Sequence, residues 1–125
     1  MDPKFKLSQI IAVMLGVRDV SKALDFYQRQ LGLPVIMKET EIALLQCGSV
    51  MIGLNRGLAD AAPQVVGATE VVFEVENVKG AYQVMKASGI SFIDEPRQVT
   101  PVNWAVHFRD VDGHLLSIFG PEGQA

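Results

Sequence analysis

Hydrophobic and polar positions alternate in two ways along the chain, one typical of strands and the other of helices. Residues 10–17 are mostly apolar and rich in β-branched side chains, and the run is too short for a buried helix, so it predicts a buried strand. From Val20 the apolar positions recur at helical spacing, which predicts a helix with Asp19 as its N-cap and Gly32 as its αL stop. Three short strands are predicted to follow, over residues 35–38, 42–46 and 50–55.

The same order of elements returns in the second half of the chain. Val17-Arg18-Asp19-Val20 has a counterpart in Val75-Glu76-Asn77-Val78, and Leu31-Gly32-Leu33 has one in Ser88-Gly89-Ile90. An internal repeat predicts two similar structural units. The second copy is predicted to contain a strand over 70–75, a helix from Asn77 to Gly89, and strands near 90–93, 104–109 and 115–119.

Each copy is therefore predicted to be a β-α-β-β-β module in a single α+β domain, residues 1–125. The first module covers residues 8–56, a connector covers 57–67, and the second module covers 68–121. Each module has one helix to cover one face of its sheet, which leaves the other face for a partner or a ligand. Two such sheets curled towards each other would enclose a cup, a usual place for a small molecule.

Composition narrows the range of partners. The 14 acidic and 11 basic residues give a net charge of −3 and are scattered, which excludes an electrostatic footprint for nucleic acid. Cys47 is the one cysteine, so there is no internal disulfide, and a reducing compartment fits. The apolar run near the N-terminus lacks a cleavage pattern, and no segment approaches the roughly 20 apolar residues of a membrane span. We expect a cytoplasmic protein without a membrane partner.

Several of these motifs resemble the vicinal-oxygen-chelate superfamily, which includes glyoxalase I, extradiol dioxygenases and bleomycin-resistance proteins. The resemblance lies in Val17-Arg18-Asp19-Val20, Phe26-Tyr27, Leu31-Gly32-Leu33 and the segment 108–114, which reads Phe-Arg-Asp-Val-Asp-Gly-His. The family usually has proline where Val111 stands. The resemblance implies paired βαβββ modules that form a curved mixed β-sheet cup. The motifs are helix caps, turns and packing residues, so they specify the fold better than the function.

Enzymes of this superfamily hold a divalent metal at four positions, which the resemblance places at Ala12, Ile52, Glu70 and Ser117. Only Glu70 is a competent ligand for such a metal, because alanine and isoleucine have no donor atom and a serine hydroxyl is a poor one. A shift of one residue at either apolar position would not restore the site. We expect neither a metal nor another cofactor, and metal-dependent chemistry of the glyoxalase type is not expected.

Strand alternation places Glu70, Val72 and Glu74 on the cup side if Glu70 lies there, and Val71, Phe73 and Val75 on the helix side. The resemblance to fosfomycin-resistance proteins places His107 on the cup side as well. Glu70 and His107 are the candidates for proton transfer. Trp104 either caps the mouth of the cup or packs in the core. The predicted ligand-binding residues are Ala12, Met14, Ile52, Glu70, Trp104, His107, Ser117 and Phe119.

These observations lead to three hypotheses of function. The first is a metal-independent protein of the bleomycin-resistance type that binds a small apolar or aromatic molecule. The second is a glyoxalase-related lyase or isomerase that uses Glu70 and His107 as acid-base groups beside a carbonyl. The third is a structural module whose cup is filled by its own side chains. The resemblance also implies a homodimer, with modules paired within one chain or between two chains.

Overall fold

Both halves of the chain contain the series β-α-β-β-β, and the first half adds a π-helical segment and a second helix. The computed structural model describes residues 9–61 and 69–125. The first half contains β1 (Ala12–Gly16), α1 (Val20–Asp25), a π-helical continuation of α1 (Phe26–Gln30), β2 (Val35–Lys38), β3 (Ile42–Cys47), β4 (Val50–Asn55) and α2 (Arg56–Ala61). The second half contains β5 (Glu70–Glu74), α3 (Val78–Ala87), β6 (Arg97–Gln98), β7 (Trp104–Arg109) and β8 (Leu115–Gly120).

The strands form two separate four-stranded mixed sheets. Their orders are β1-β4-β3-β2 and β5-β8-β7-β6, so the two sheets have the same topology. The first strand of each half runs parallel to the last, and the remaining neighbours are antiparallel. This arrangement confirms the predicted α+β class and the repeated βαβββ order.

The helix ends predicted from sequence are confirmed. Asp19 Oδ1 accepts a 3.1 Å hydrogen bond from the amide of Lys22, and Asn77 Oδ1 accepts one of 2.7 Å from the amide of Gly80. Each side chain satisfies an amide that has no partner within its own helix. Gly32 and Gly89 have φ angles of 76° and 103°, a left-handed conformation that side chains disfavour and that ends a helix.

The strand predicted near residues 90–93 is wrong. This segment makes a single isolated bridge, between Phe92 and Phe108, and the short strand β6 lies further along the chain. The Phe92 ring lies edge-on to Tyr82 and Phe108, with centroids 4.7 and 5.4 Å away. The apolar character of the segment therefore reflects burial against α3 and β7 rather than pairing within the sheet.

Part of the predicted connector is helical. The helix α2 begins at Arg56, where the sequence has no sustained periodicity, and Asn55 Oδ1 accepts a 3.1 Å hydrogen bond from the amide of Leu58. A polar side chain at the end of β4 thus satisfies an amide in the first turn of α2. Residues 62–67 of the connector lie outside the described residues.

One hydrophobic core is shared by the two halves. It contains Leu24 and Tyr27 from the first helical segment together with Val106, Phe108 and Leu116 from the second sheet. Val71, Phe73 and Val75 pack against this core, which confirms the predicted helix-side face of β5. The opposite face of each sheet, which we call the outer face, is turned away from the core. None of the helices in the described part of the chain has the length and apolar character needed to cross a bilayer.

A polar cluster also joins the two halves. Tyr27 Oη donates a 2.6 Å hydrogen bond to Oδ2 of the buried Asp110. His114 Nδ1 lies 2.6 Å from the same oxygen, and the amides of Asp112 and His114 donate to Oδ1. Arg18 extends the link by donating to Oδ1 of Asp112 at 3.0 Å. The turn between β7 and β8 is therefore held by residues at both ends of α1.

Candidate functional site

The outer face of the second sheet carries the polar side chains that could do chemistry. Glu70 and Val72 on β5 pair in register with Leu115 and Ser117 on β8, and Ser117 pairs with His107 on β7. Because partners in register lie on the same face of a sheet, all five side chains belong to the outer face. The structure thus brings Glu70, His107 and Ser117 onto one surface, as the sequence predicts.

His107 lies between two carboxyl groups. Its Nε2 is 3.3 Å from Oε2 of Glu70, and its Nδ1 is 2.8 Å from Oδ2 of Asp94. Exposures of the side chains of His107, Asp94 and Glu70 are 18%, 28% and 33%, so the group is partly sheltered but open to a ligand. An imidazole between two carboxyl groups can hold a proton and transfer it.

The segment before β6 fixes the backbone of His107 as well as its ring. The amide of His107 donates a 2.8 Å hydrogen bond to Oδ1 of Asp94, and its carbonyl accepts one of 2.9 Å from the amide of Ile93. The ladder between β6 and β7 ends at Ala105 and so does not reach His107. Residues 93 and 94 therefore replace the missing strand partner at this position.

Sequence reasoning missed Asp94. It lies 13 residues from His107, directly after the strand predicted near residues 90–93, and no local motif marks it. The available cue is a carboxylate followed by Glu95 and Pro96, directly before β6, a combination that a strand does not favour. Its pairing with a particular side chain depends on the path of the 90–96 segment, which the periodicity does not predict.

The rest of this outer face carries both apolar and charged side chains. Ala105 pairs in register with Phe119, and Phe119 pairs with Glu74 on the other side. Ser117 lies between Val72 and His107 in the register and has 1% of its surface exposed. Its hydroxyl is therefore much less accessible than the Glu70 carboxyl. A ligand beside the Glu70–His107 pair would meet the apolar side chains of Val72, Ala105 and Phe119. Two charged side chains, Arg97 and Arg109, lie on the same face.

The first sheet places Ala12 and Met14 on its outer face but not Ile52. Met14 pairs in register with Gly53, whereas Ile52 pairs with Val13 and Leu45 and is buried in the core. The position that corresponds to Ser117 in the first half is thus Gly53, where the sulfur of Met14 occupies the space that a Cβ would need. The predicted placement of Ile52 on the cup wall is corrected accordingly.

Trp104 also faces away from the predicted site. It is three residues before His107 on β7, an odd spacing that puts the two side chains on opposite faces. It packs against the core, and Nζ of Lys79 on α3 lies 5.2 Å from the centre of its ring. Of the two alternatives considered for Trp104, the structure therefore places it in the core rather than at the mouth of the cup.

The outer faces are open in the single chain. Met14 is 40% exposed and Val72 is 54% exposed, so neither is covered by the part of the chain that the structure describes. A cavity of about 600 Å³ lies elsewhere, between the end of α3 and residues 89–95. Tyr82, Lys86 and Phe92 line it, and Asp94 contributes to its wall as well as contacting His107.

Comparison with known proteins identifies relatives along nearly the whole chain. Residues 9–118 match the family model described as the Glyoxalase/Bleomycin resistance protein/Dioxygenase superfamily. The uncharacterized protein YetH of Bacillus subtilis (strain 168) is 26% identical over 120 residues, which cover 88% of this chain and 96% of that relative.

Two solved structures show the same fold. Lactoylglutathione lyase from Agrobacterium tumefaciens aligns with a TM-score of 0.76 at 19% identity, covering 90% of this chain and 93% of that chain. A glyoxalase/bleomycin resistance protein/dioxygenase from Nocardioides aligns with a TM-score of 0.76 at 21% identity, covering 98% and 92%. At these identities the likeness concerns the fold alone.

The residues present do not fit the divalent metal that the fold implies. The four positions hold Ala12, Gly53 in place of the predicted Ile52, Glu70 and Ser117. Only Glu70 is a strong donor, and both ring nitrogens of the neighbouring His107 already face carboxyl groups. Within residues 9–61 and 69–125, no group of three or more His, Cys, Asp or Glu side chains is arranged to hold a metal ion.

Proposed function

The chain belongs to the glyoxalase/bleomycin resistance protein/dioxygenase superfamily, and we propose that it binds a small apolar or aromatic molecule there without a metal. The observation that carries the proposal is the partly exposed Glu70–His107 pair beside the apolar side chains of Val72, Ala105 and Phe119 on the outer face. Ligand sites in proteins commonly combine a mostly apolar lining with a few polar groups that orient the ligand.

The pair also suggests what the ligand carries. Glu70 uses Oε2 towards His107, and its side chain is 33% exposed, so the second carboxyl oxygen is within reach of a bound molecule. Ionised or protonated, the carboxyl group keeps an oxygen that accepts hydrogen bonds. We therefore expect an apolar or aromatic body that carries a hydroxyl or amine donor.

Binding of two matched probes tests this proposal. In protein dialysed against EDTA, p-cresol should bind measurably by isothermal titration calorimetry, and 4-methylanisole, which lacks the donor, should bind more weakly. Glu70→Ala should weaken p-cresol binding by about tenfold or more, the effect of losing one hydrogen bond to a charged group. Glu74→Ala is the matched control, since Glu74 is on the same strand and face, four residues away. Equal loss in both variants, or no difference between the probes, would count against the proposal.

The site favours a homodimer as part of the same proposal. The apolar outer face around Met14 and the polar outer face around His107 belong to separate sheets, and both are open in one chain. Pairing the first sheet of one copy with the second sheet of another would cover both surfaces and complete the cup. Light scattering should then report a dimer that Met14→Lys dissociates and Val84→Lys, on the exposed side of α3, does not. A wild-type monomer at high concentration would remove this part of the proposal.

A second candidate function is acid-base catalysis by Glu70 and His107, as in a lyase or isomerase. The contact between His107 and two carboxyl groups favours it, because such a group can take a proton from a carbon beside a carbonyl and return it to a neighbouring atom. The C–H bond breaks to give an enolate, and the same proton or one from water completes the isomerisation.

Proton exchange in D2O distinguishes the two candidates. With the hemithioacetal of methylglyoxal and glutathione as the probe, an enzyme would exchange the carbon-bound proton, and His107→Ala would abolish exchange while leaving affinity largely intact. No exchange with this or other carbonyl probes would leave binding as the function. A cytoplasmic location belongs to the proposal too, consistent with the free thiol of Cys47, and cell fractionation tests it.

A further inference from the structure

We propose that Asp94 is a positioning residue of this site: it holds the proton on Nδ1 of His107, so that Nε2 and the carboxyl group of Glu70 share a single proton. The proposal rests on the function proposed above, since it concerns the same His107–Glu70 pair. It assigns a role to a residue that no motif marks, and it specifies which atom of the site presents the mobile proton.

Two contacts from one carboxyl group fix His107. Asp94 Oδ1 accepts a hydrogen bond from the backbone amide of His107, and Oδ2 lies 2.8 Å from Nδ1 of its ring. An ionised carboxylate only accepts hydrogen bonds, so the short contact requires the proton to be on Nδ1. The first contact also holds the carboxylate in place, which prevents it from following the ring if the ring rotates.

The second ring nitrogen, Nε2, then faces the carboxyl group of Glu70, which carries no proton when it is ionised. In a neutral ring with Nδ1 protonated, Nε2 carries a lone pair, and Oε2 of Glu70 lies 3.3 Å away. Two lone pairs at this distance repel each other. A proton on Nε2, which makes an imidazolium, or on Glu70 removes this repulsion, and this is the proton that the proposal assigns to the pair.

This arrangement directs the chemistry of the site to one side of the ring. Asp94 occupies the Nδ1 side and borders the cavity beside α3, whereas Glu70 lies on the outer face, on the same strand as Val72. A ligand that reaches Glu70 meets the shared proton directly. Without Asp94 the ring could carry its proton on either nitrogen, and part of the population would present the wrong one.

The substitution Asp94→Asn reverses the expected state of the ring. The amide oxygen of asparagine can keep the bond from the backbone amide of His107, while its NH₂ group would face Nδ1 as a donor. Nδ1 would then act as the acceptor, and the proton would move to Nε2. Glu95→Gln is the matched control, because it removes one carboxylate charge from the adjacent residue.

Nitrogen-15 NMR of the two histidine side chains, in protein without any ligand, tests the proposal. In the wild type and in Glu95→Gln, Nδ1 of His107 should give the signal of a protonated nitrogen across the titration, and in Asp94→Asn it should give that of an unprotonated nitrogen once the ring is neutral. His114, whose Nδ1 contacts Asp110, serves as an internal reference that should not change. An unprotonated Nδ1 in the wild type, or the same pattern in Asp94→Asn, would overturn the proposal.

The same variants separate this proposal from the proposed function. If the NMR pattern is as expected but p-cresol does not bind, the proposed ligand fails and the role of Asp94 in fixing the ring remains. If Asp94→Asn should unfold, Asp94→Glu provides a second measurement, because it keeps the carboxylate and should keep the proton on Nδ1. A proton on Nε2 alone in Asp94→Glu and in the wild type would contradict the assignment.

Discussion

Tyr27 and Asp110 join the two halves of the chain through a buried 2.6 Å hydrogen bond between residues 83 positions apart. Burial, followed by the hydrogen bond to Asp110, raises the pKa of the Tyr27 hydroxyl far above its usual range, so the hydroxyl remains a donor at all working pH values. Burial alone would raise the pKa of Asp110, but hydrogen bonds from His114 and Tyr27 outweigh it and lower the pKa.

Removal of the Tyr27 hydroxyl should destabilise the fold. Tyr27→Phe keeps the ring in the core but leaves a buried charged oxygen with one donor fewer, which costs about 1.5–3 kcal/mol of the free energy of unfolding. Urea denaturation monitored by circular dichroism measures it. Tyr82→Phe is the control, because among the described residues its hydroxyl has a single hydrogen bond, a long one of 3.4 Å from Lys86. A loss of equal size in this variant would contradict the assigned role of Asp110.

Stability should depend on pH through His114. The hydrogen bond to Asp110 raises the pKa of His114 above its ordinary value of 6.5, against the opposing effect of burial. A raised folded-state pKa gives stabilisation that is complete below 6.5 and is lost as the pH rises through the folded-state value. The free energy of unfolding of the wild type should therefore fall above pH 6.5 relative to that of His114→Gln. Parallel pH profiles for the two proteins would show that the contact has no such effect.

Acidification should also weaken the cluster of Tyr27, Asp110 and His114, in this case because the carboxylate of Asp110 becomes protonated. The pKa of Asp110 is lowered from 3.8, so its stabilisation is complete above that pH and is lost as the pH falls through the lower folded-state value. Asp110→Asn should therefore be less stable than the wild type at pH 6, and the difference should shrink in strong acid. Denaturant titrations at several pH values measure it, and a difference that grows on acidification would be inconsistent with the lowered pKa.

Two glycines of the first sheet should respond differently to alanine. A Cβ at Gly16 would lie 2.9 Å from the backbone nitrogen of Ala59 in α2, whereas one at Gly53 would meet mainly the flexible end of Met14. Gly16→Ala should therefore lower the free energy of unfolding by about 1–3 kcal/mol, as overpacking does, and Gly53→Ala should have a smaller effect. Thermal unfolding measures which substitution destabilises the protein more. A larger loss in Gly53→Ala than in Gly16→Ala would contradict the position of α2 against β1.

Chelation should leave the stability unchanged. A metal present at one hundred times its Kd would add about 2.7 kcal/mol to the folded state, which a melting experiment detects readily. Since Glu70 is the one strong donor among the four family positions, the melting temperature should be the same with EDTA and with added zinc, nickel or manganese. Stoichiometric metal in protein purified without chelator, lost in Glu70→Ala, would contradict the metal-free site.

The fold could be predicted from the sequence because local signals agree with the tertiary structure. Asp19, Asn77, Gly32 and Gly89 mark helix ends with side chains or conformations that few other residues provide. Strand alternation likewise gave the correct face for Glu70. These signals depend on nearest neighbours along the chain and need no knowledge of how the halves meet.

The wall of the site was only partly predictable. The resemblance aligns Ile52, five residues after Cys47, with Ser117, five residues after Asp112. However, the turn before β4 contains residues 48–49 and the turn before β8 contains residues 110–114. The two turn lengths differ by an odd number of residues. Because side chains alternate between the two faces of a sheet, Ile52 and Ser117 therefore lie on opposite faces of their sheets. Trp104 could have been excluded by its odd spacing from His107, whereas Asp94 required the path of a segment with no periodicity.

The shared core has a consequence for the unit that folds. The sequence repeats, but α1 packs in the same cluster as the second sheet, and Arg18 and Tyr27 attach to the turn between β7 and β8. Either half expressed alone would expose this common surface and leave Asp110 or its partners unsatisfied. The two copies therefore share a fold but do not fold independently of each other. The smallest fragment that unfolds in one cooperative transition contains both copies.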